Sequence, residues 1–438
     1  MRHRTTAIAL VAAFAGGALT NQLLTGARSA HADSQKESPY AQFDQMGRVL
    51  AVIEHGYVDT PGQEKLLDGA IKGMVAELDP HSSYMTPDEY ADFQSDTEGK
   101  FGGIGVEVDD RDGDVIVVAP IEGSPAFRAG IKSGDRIVTV DDKLVRGTRV
   151  DKLIESMRGE PGTKVRVGVV REGVEDILYF DLVREIVHVS SVEAKMLAHA
   201  VLYVRVKQFQ ENTHAELVDA VGKARGAANV DPKAVILDLR YNPGGLVDQA
   251  EGVADELMDS GTIYSTRHRG KIVEEVTASH GGVLADLPCI ALVNEYSASA
   301  SELVSGALQD SKRALIVGAR TFGKGSVQTI FDLPGGSGLR LTTMRYYTPS
   351  GRSIQAQGIM PDVVVRRADG KPADVVRESD LEGHLAAEEG GAKHDVETVD
   401  APPDQLVPTK LSEMKDDPTE GKDFVLAEGY RRVTKLIQ

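Results

Sequence analysis

Apolar residues between positions 40 and 92 recur at three- and four-residue spacing: Phe43, Met46, Leu50 and Ile53 in one run, Leu67, Ile71, Met74 and Leu78 in the next. That period predicts helices with one apolar face each. Pro61-Gly62 separates the runs and Asp79-Pro80 ends the second, as helix breakers do. Stripes of this kind serve a core or a dimer contact. From about residue 97 the pattern shortens to strand lengths punctuated by glycine, at 104–108, 115–119, 136–140, 164–170 and 176–183. Two short helices are expected among them. One is capped by Ser124 with Pro125 at its first position, and the other covers 150–157.

Residues 187–365 alternate between the two periods. Strands are expected at 199–206, 233–239, 289–294 and 314–317, and helices at 214–224, 246–258 and 299–309. Segments 325–333 and 339–347 read as a hairpin about Pro334-Gly335-Gly336. Such alternation makes an α/β core. Beyond Arg366 the chain turns to Glu, Asp, Lys, Gly and Pro, and residues 386–422 offer too little apolar surface to fold. Phe424, Leu426, Tyr430, Val433 and Leu436 then predict a last helix. The expected organisation is a signal peptide (1–32), an N-terminal helical region (33–96), a β-rich module (97–186), an α/β core (187–365) and an acidic, partly disordered tail with a terminal helix (366–438).

Composition narrows the function. Of 438 residues, 41% are hydrophobic and 26% charged, the profile of a soluble globular protein. A formal charge of −18 argues against nucleic acid as a partner, which needs a basic face. The single cysteine, Cys289, lies in an apolar run and reads as a buried structural thiol. Arg2 and Arg4, the apolar stretch from Ala7 to Leu19, and Ala30-His31-Ala32 are the three parts of a secretory signal. The apolar stretch is shorter than the roughly 20 residues a spanning helix needs. Export is therefore expected, to the periplasm or beyond, with the protein soluble or anchored by this segment.

Three segments carry candidate chemistry. In Asn294-Glu295-Tyr296-Ser297-Ala298-Ser299-Ala300-Ser301-Glu302 a buried strand gives way to a helix. A serine at that junction has free backbone N–H groups behind it that can hold an oxyanion. The same Ser299-x-x-Glu302 pattern is also an ordinary capping box. Gly318-Ala319-Arg320-Thr321-Phe322-Gly323-Lys324-Gly325 approaches the phosphate-binding pattern G-x-x-x-x-G-K-[ST]. Gly325, however, stands where a metal-binding hydroxyl is needed, and a strand follows where that loop demands a helix, so the NTPase reading fails. A lysine confined among apolar groups has its pKa lowered from about 10.4 and can serve as general base; at the surface it is only a turn residue. In the third segment, Asp238-Leu239-Arg240-Tyr241-Asn242-Pro243-Gly244-Gly245, two glycines bring N–H groups above a sheet end, where one would complement Ala300 as oxyanion donor. Metal-ligand spacing such as H-E-x-x-H is absent. No metal or cofactor is expected, and His81 reads as a turn residue.

The β-rich module resembles a PDZ domain in the strand order of bacterial proteases. The matching pieces are Phe101-Gly102-Gly103-Ile104-Gly105, Ser124-Pro125-Ala126 with Ala129-Gly130-Ile131, and Gly134-Asp135-Arg136-Ile137. Glycine N–H groups of such a loop converge on a C-terminal carboxylate while the peptide pairs with a strand edge. Added to these are Leu78-Asp79-Pro80-His81-Ser82-Ser83-Tyr84, the three candidate segments with Val327-Gln328, and Tyr347-Thr348-Pro349-Ser350-Gly351. From about Phe43 to Val365 the chain thus resembles the carboxyl-terminal processing, or tail-specific, proteases.

That resemblance implies an α/β, crotonase-like (ClpP/crotonase) protease core with an inserted PDZ domain and helical N- and C-terminal segments. It implies Ser299 as nucleophile, Lys324 as general base, Gln328 orienting the lysine, and Ala300 with Gly244 or Gly245 as oxyanion hole, acting through an acyl-enzyme. Peptide would bind at Phe101, Gly102, Gly103, Ile104 and Gly105. Arg158 would sense it, unless it is merely a helix-end charge, and hinges near 96–100 and 184–188 would couple capture to activation. Unfolded or C-terminally exposed proteins are the implied substrates. A homodimer or higher oligomer is expected, and there is room for an adaptor protein. Asp310 reads as structural.

Overall fold

In the computed structural model, which describes residues 40–438 except 112, 122, 146, 147, 372–374 and 389–395, the two N-terminal stripes fold as α1 (Ala41–Gly56) and α2 (Gln63–Ala76). The segment read as a signal, 1–32, lies outside the described residues. The chain divides into two compact units, 1–71 and 72–438. In the first, α1 leaves Phe43, Met46, Val49 and Val52 exposed.

In the second unit the helical run stops before Asp79-Pro80, as expected, but a short strand and a further helix follow where the pattern to residue 92 read as helical. A turn at Asp79 intervenes, whose carboxylate accepts the N–H groups of His81 and Ser82 at 2.9 Å each, satisfying backbone that Pro80 cannot. The short strand β1 (Ser83–Met85) follows, then α3 (Pro87–Glu98), which starts at a Thr86 capping box and ends on Gly99 in the left-handed region.

The β-rich module comprises β2 (Lys100–Gly103), β3 (Val106–Arg111), β4 (Asp114–Pro120), α4 (Pro125–Ala129), β5 (Arg136–Val140), β6 (Lys143–Leu144), α5 (Val150–Met157), β7 (Lys164–Val170), β8 (Leu178–Val183) and β9 (Glu185–His188). Strands β3-β4-β5-β7-β8 form one antiparallel sheet, with β3 at an edge. Alternate residues such as Val115 and Val117, or Val165, Val167 and Val169, turn inward onto Leu153 and Met157 of α5. Strands β2 and β9 pair with each other. Of the segments expected as hinges, 184–188 is mostly β9, while 96–100 is the end of α3, its Gly99 cap and the first residue of β2; the module leaves and rejoins the chain through the β2–β9 ribbon.

The remaining elements are β10 (Val192–Met196), β11 (Val201–Val206), α6 (Thr213–Ala228), β12 (Ala234–Asp238), α7 (Val247–Asp255), β13 (Thr262–His268), β14 (Lys271–Thr277), β15 (Cys289–Val293), α8 (Ala300–Asp310), β16 (Ala314–Gly318), β17 (Ser326–Asp332), β18 (Gly338–Tyr347), β19 (Val363–Arg367), β20 (Glu397–Ala401) and α9 (Phe424–Lys435). Seven of these strands form a sheet in the order β10-β11-β12-β15-β16-β19-β20. Side-chain alternation gives the sheet two apolar faces. Leu202, Val204 and Val206 join the buried residues of α6, α7 and α8, whereas Tyr203, Ile236 and Ile290 join Leu426, Tyr430 and Val433 of α9. Burying each such aliphatic side chain contributes about 1.5–3 kcal/mol. A second sheet, β1-β18-β13-β14 with β17 on β18, carries the expected hairpin.

The tail departs from expectation. Residues 386–422 include β20, which pairs in parallel with β19, and Ala401 and Met414 are buried against the sheet. Isolated, the segment has too few apolar residues; docked on a preformed sheet, those few suffice. Cys289 is buried as expected, and burial pushes its thiol up to about 12. Asp310 holds Ser350 and Arg352.

Where β12 ends, Arg240 is buried between two carboxylates. It pairs with Asp238 at 2.6 Å and, through both terminal nitrogens, with Asp423 at 2.7 and 2.8 Å. Asp423 is also the cap of α9, accepting the Leu426 N–H. Burial acts against both ions, but Arg240 outweighs it and holds Asp238 below the usual carboxylate range. Removing one member strands a buried charge. Asp423→Ala is expected to cost about 3–5 kcal/mol, read as a lowered midpoint in urea or thermal unfolding.

Candidate active site

Strand β15 is buried at every position and ends in a turn closed by Ser297, whose Oγ accepts the Asn294 N–H and donates to the Leu239 carbonyl. The next turn forces Ser299 to φ 55°, ψ −116°. For a residue with a Cβ that conformation is strained, and such strain persists where surroundings over-determine it. Ser299 caps α8. The cap bond made at hydrogen-bonding distance runs from its N–H to Glu302 Oε2, 2.8 Å, and the serine hydroxyl itself makes none. The helix cap therefore coexists at one half-buried residue with a hydroxyl that makes no cap bond.

Lys324 stands between glycines in the loop from β16 to β17. A Cβ on Gly325 would lie 2.4 Å from the Gln355 nitrogen, so only glycine lets the loop approach that backbone. The lysine is largely enclosed. Burial first, then the nearby Arg340 charge, lower its pKa to about 8, against Glu378, Glu302 and Asp79, which raise it. Among the described residues its ammonium nitrogen forms no salt bridge. Ser299, Lys324, Gln328, Gly244 and Gly245 all line one cavity of about 370 Å³, walled by Phe209, Leu246, Ile330 and Tyr346.

The glycine pair divides its work. Gly244 has φ +100°, and a Cβ there would lie 2.8 Å from Ser299 Cβ and 3.0 Å from the Ala300 nitrogen. Its N–H, however, is bonded to Asn242 Oδ1 at 2.8 Å. The N–H groups of Gly245 and Ala300 are not taken by backbone or side chain among the described residues. Gln328 lines the same cavity as Lys324, and its amide donates to Ser326 Oγ at 2.9 Å and Thr342 Oγ1 at 3.3 Å.

Glu302 is a site residue that the sequence presents only as a cap. Fully buried, it accepts the Ser299 N–H, the Gly323 and Lys324 N–H groups at 2.7 and 2.8 Å, and the Thr321 hydroxyl. Burial pushes its pKa up to about 7 against those four bonds. One carboxylate thus ties the serine turn to the lysine loop. Its only local signal was the capping box.

In the β-rich module, Phe101, Gly103, Ile104 and Gly105 line a groove of about 320 Å³ with Ile154, Met157 and Arg158. It runs between α5 and the edge strand β3, and Gly102 lies beside it in β2. Arg158 is the C-cap of α5, and its guanidinium stacks over the Phe101 ring at 4.2 Å. Among the described residues no group of three or more His, Cys, Asp or Glu side chains could hold a metal, and no helix is long and apolar enough to cross a membrane.

Comparison with known proteins agrees on the class. Residues 200–365 match peptidase family S41, residues 102–179 match the PDZ domain, and residues 7–89 match the activating protease CtpB N-terminal domain. The chain is 39% identical over 405 residues to the carboxy-terminal-processing protease of Bartonella bacilliformis, covering 91% of this chain and 93% of that one. It is 35% identical over 366 residues to the carboxy-terminal processing protease CtpA of Bacillus subtilis, covering 83% and 77%. Among solved structures, the photosystem II D1 C-terminal processing protease is 31% identical and covers 74% of this chain and 93% of its own, with a TM-score of 0.44. A serine-type peptidase with a PDZ domain is the class these matches define. The chain belongs to the carboxy-terminal processing proteases of family S41.

Glu302→Gln replaces two acceptor oxygens by one and sets an amide against N–H groups. It is expected to lower kcat about 100-fold, as small misplacements of reacting groups do, while the folded protein persists by circular dichroism. Wild-type kcat would show that the tie is dispensable.

Proposed function

We propose that this protein is an exported endopeptidase that captures substrate C-terminal tails on its PDZ domain and cleaves by a Ser299–Lys324 dyad. The observation that carries the reading is the enclosure of Lys324, without an ion-pair partner among the described residues, in the same cavity as the strained Ser299. An uncharged lysine takes the serine proton as Oγ attacks the peptide carbonyl. The developing oxyanion lies against the Gly245 and Ala300 N–H groups. Lys324 returns the proton to the leaving amine, releasing the C-terminal product, and then activates water to hydrolyse the ester. Gln328 keeps the floor of the site in place through Ser326 and Thr342 rather than by holding the lysine.

At the PDZ groove the glycine-rich Phe101-Gly102-Gly103-Ile104-Gly105 segment meets the tail carboxylate, and the free edge of β3 takes the peptide as an added strand. Ile154 and Met157 favour apolar final residues, and Arg158 reads occupancy. We read the core as crotonase-like, with α8 presenting the nucleophile. The N-terminal signal pattern supports export to the periplasm or beyond. The exposed apolar stripe of α1 supports a homodimer or larger oligomer.

The test is cleavage of an unstructured protein by wild type, Ser299→Ala and Lys324→Ala, each checked for folding. Both variants are expected to lose activity by at least about 1,000-fold; undiminished cleavage by either would overturn the dyad. Because the lysine must be neutral to act and its pKa is lowered to about 8, wild-type kcat/KM should rise with pH through about 8 and level above it. For the groove, converting the terminal carboxylate of an apolar-tailed peptide to an amide should weaken binding about tenfold or more, measured by fluorescence anisotropy.

A further inference from the structure

Residues 375–388 belong to the segment expected as an acidic tail, yet they cross the lysine loop. Arg377 Nη1 donates to the carbonyls of Arg320 and Thr321, both at 2.9 Å. The Glu378 N–H reaches the Phe322 carbonyl at 3.3 Å. These bonds fix the strap to the three residues that precede Gly323 and Lys324. On the far side, Glu388 binds Arg345 and Tyr347 of β18.

At the centre of the strap the Glu378 side chain is fully buried. A buried carboxylate is costly unless partnered, and it is weak evidence of a stabilising role even when partnered. Its partners lead to the active site. Glu378 Oε1 accepts from Gln355 Nε2 at 2.7 Å, and Oε2 lies 2.6 Å from His81 Nε2. Gln355, itself fully buried, accepts the Gly325 N–H on Oε1 at 3.0 Å. His81 in turn offers its carbonyl to Arg340 Nε at 3.1 Å, and Arg340 lines the cavity that holds Lys324. An unbroken chain of hydrogen bonds therefore runs from His81 through Glu378 and Gln355 to the residue next to the lysine.

We propose that Glu378 is a positioning residue for Lys324, holding the lysine loop through Gln355 and placing a negative charge beside the base. The inference rests on the reading of Lys324 as general base. Arg340, Glu302 and Asp79 also act on that lysine, and Asp96 lines the same cavity. His81 faces Glu378 from the opposite side, and Arg377 and Asp380 flank it on the strap. Within this set Glu378 favours the ammonium formed when the lysine takes the serine proton, so removing its charge makes the lysine easier to deprotonate.

Glu378→Gln keeps acceptor and shape but removes the charge. The experiment measures initial rates on an unstructured protein substrate from neutral to alkaline pH, with thermal unfolding as a control. The acidic limb of kcat/KM should move to lower pH by about half a unit to one unit. On the alkaline plateau kcat should fall about tenfold with KM within about twofold. A folded variant with the wild-type limb and kcat overturns the proposal. If Glu378→Gln does not fold, Gln355→Leu carries the test, since it cuts the bridge and keeps the carboxylate: lowered kcat with an unmoved limb supports the role, and wild-type kcat overturns it. If neither folds, Glu378 is structural and the proposal fails. Lys324→Ala separates the two readings, because full activity there sinks the dyad itself. Loss of activity there beside a wild-type profile for Glu378→Gln sinks only the strap.

Discussion

The serine turn and the lysine loop come from different parts of the chain, and neither is rigid by composition. What relates them is the carboxylate of Glu302, which accepts the amide of Ser299 with one oxygen and shares its remaining capacity among Thr321, Gly323 and Lys324. Buried ions need this degree of satisfaction to exist at all. The arrangement therefore fixes two backbones without using the Ser299 hydroxyl or the Lys324 ammonium: the hydrogen bond that caps the helix is made by the glutamate.

Around this tie, the sheet supplies position and the glycines supply clearance. Strands β12 and β15 are neighbours, so the loops at their ends, one bearing Gly244 and Gly245 and the other Ser299, meet without further design. Any side chain on Gly244 would occupy the space in front of the serine. Burial and the Arg340 charge lower the lysine's pKa while Glu378, Glu302 and Asp79 hold it up, and the balance lies at about 8.

The sequence was most legible where chemistry is local. Periodicity gave the strand-to-helix junction at Ser299, and the order of motifs singled out Lys324. It was least legible where a side chain bonds a distant backbone. Asn242 taking the Gly244 N–H depends on side-chain direction inside one turn. The register shift opposite Val327, where Thr343 of β18 is left without a partner in β17, has no signal in the sequence pattern. Residues 397–401 looked too polar to fold because their apolar partners lie in β19. Glu302, Gln355 and Glu378 form bonds across 20 or more positions, and no periodicity records such pairs.

The pairing of Arg240 with Asp423 has a consequence in time. Every strand of the large sheet precedes α9 in the chain, so a polypeptide made from its N-terminus, in the usual domain-by-domain manner, holds the Ser299 helix and its supporting face before the cover for the opposite face exists. Until Asp423 arrives, the guanidinium beneath the Gly244 loop lacks one of its two anions and the sheet keeps an open apolar side. A sheet made in this order gains the cover of its second face only when the last helix has been synthesised.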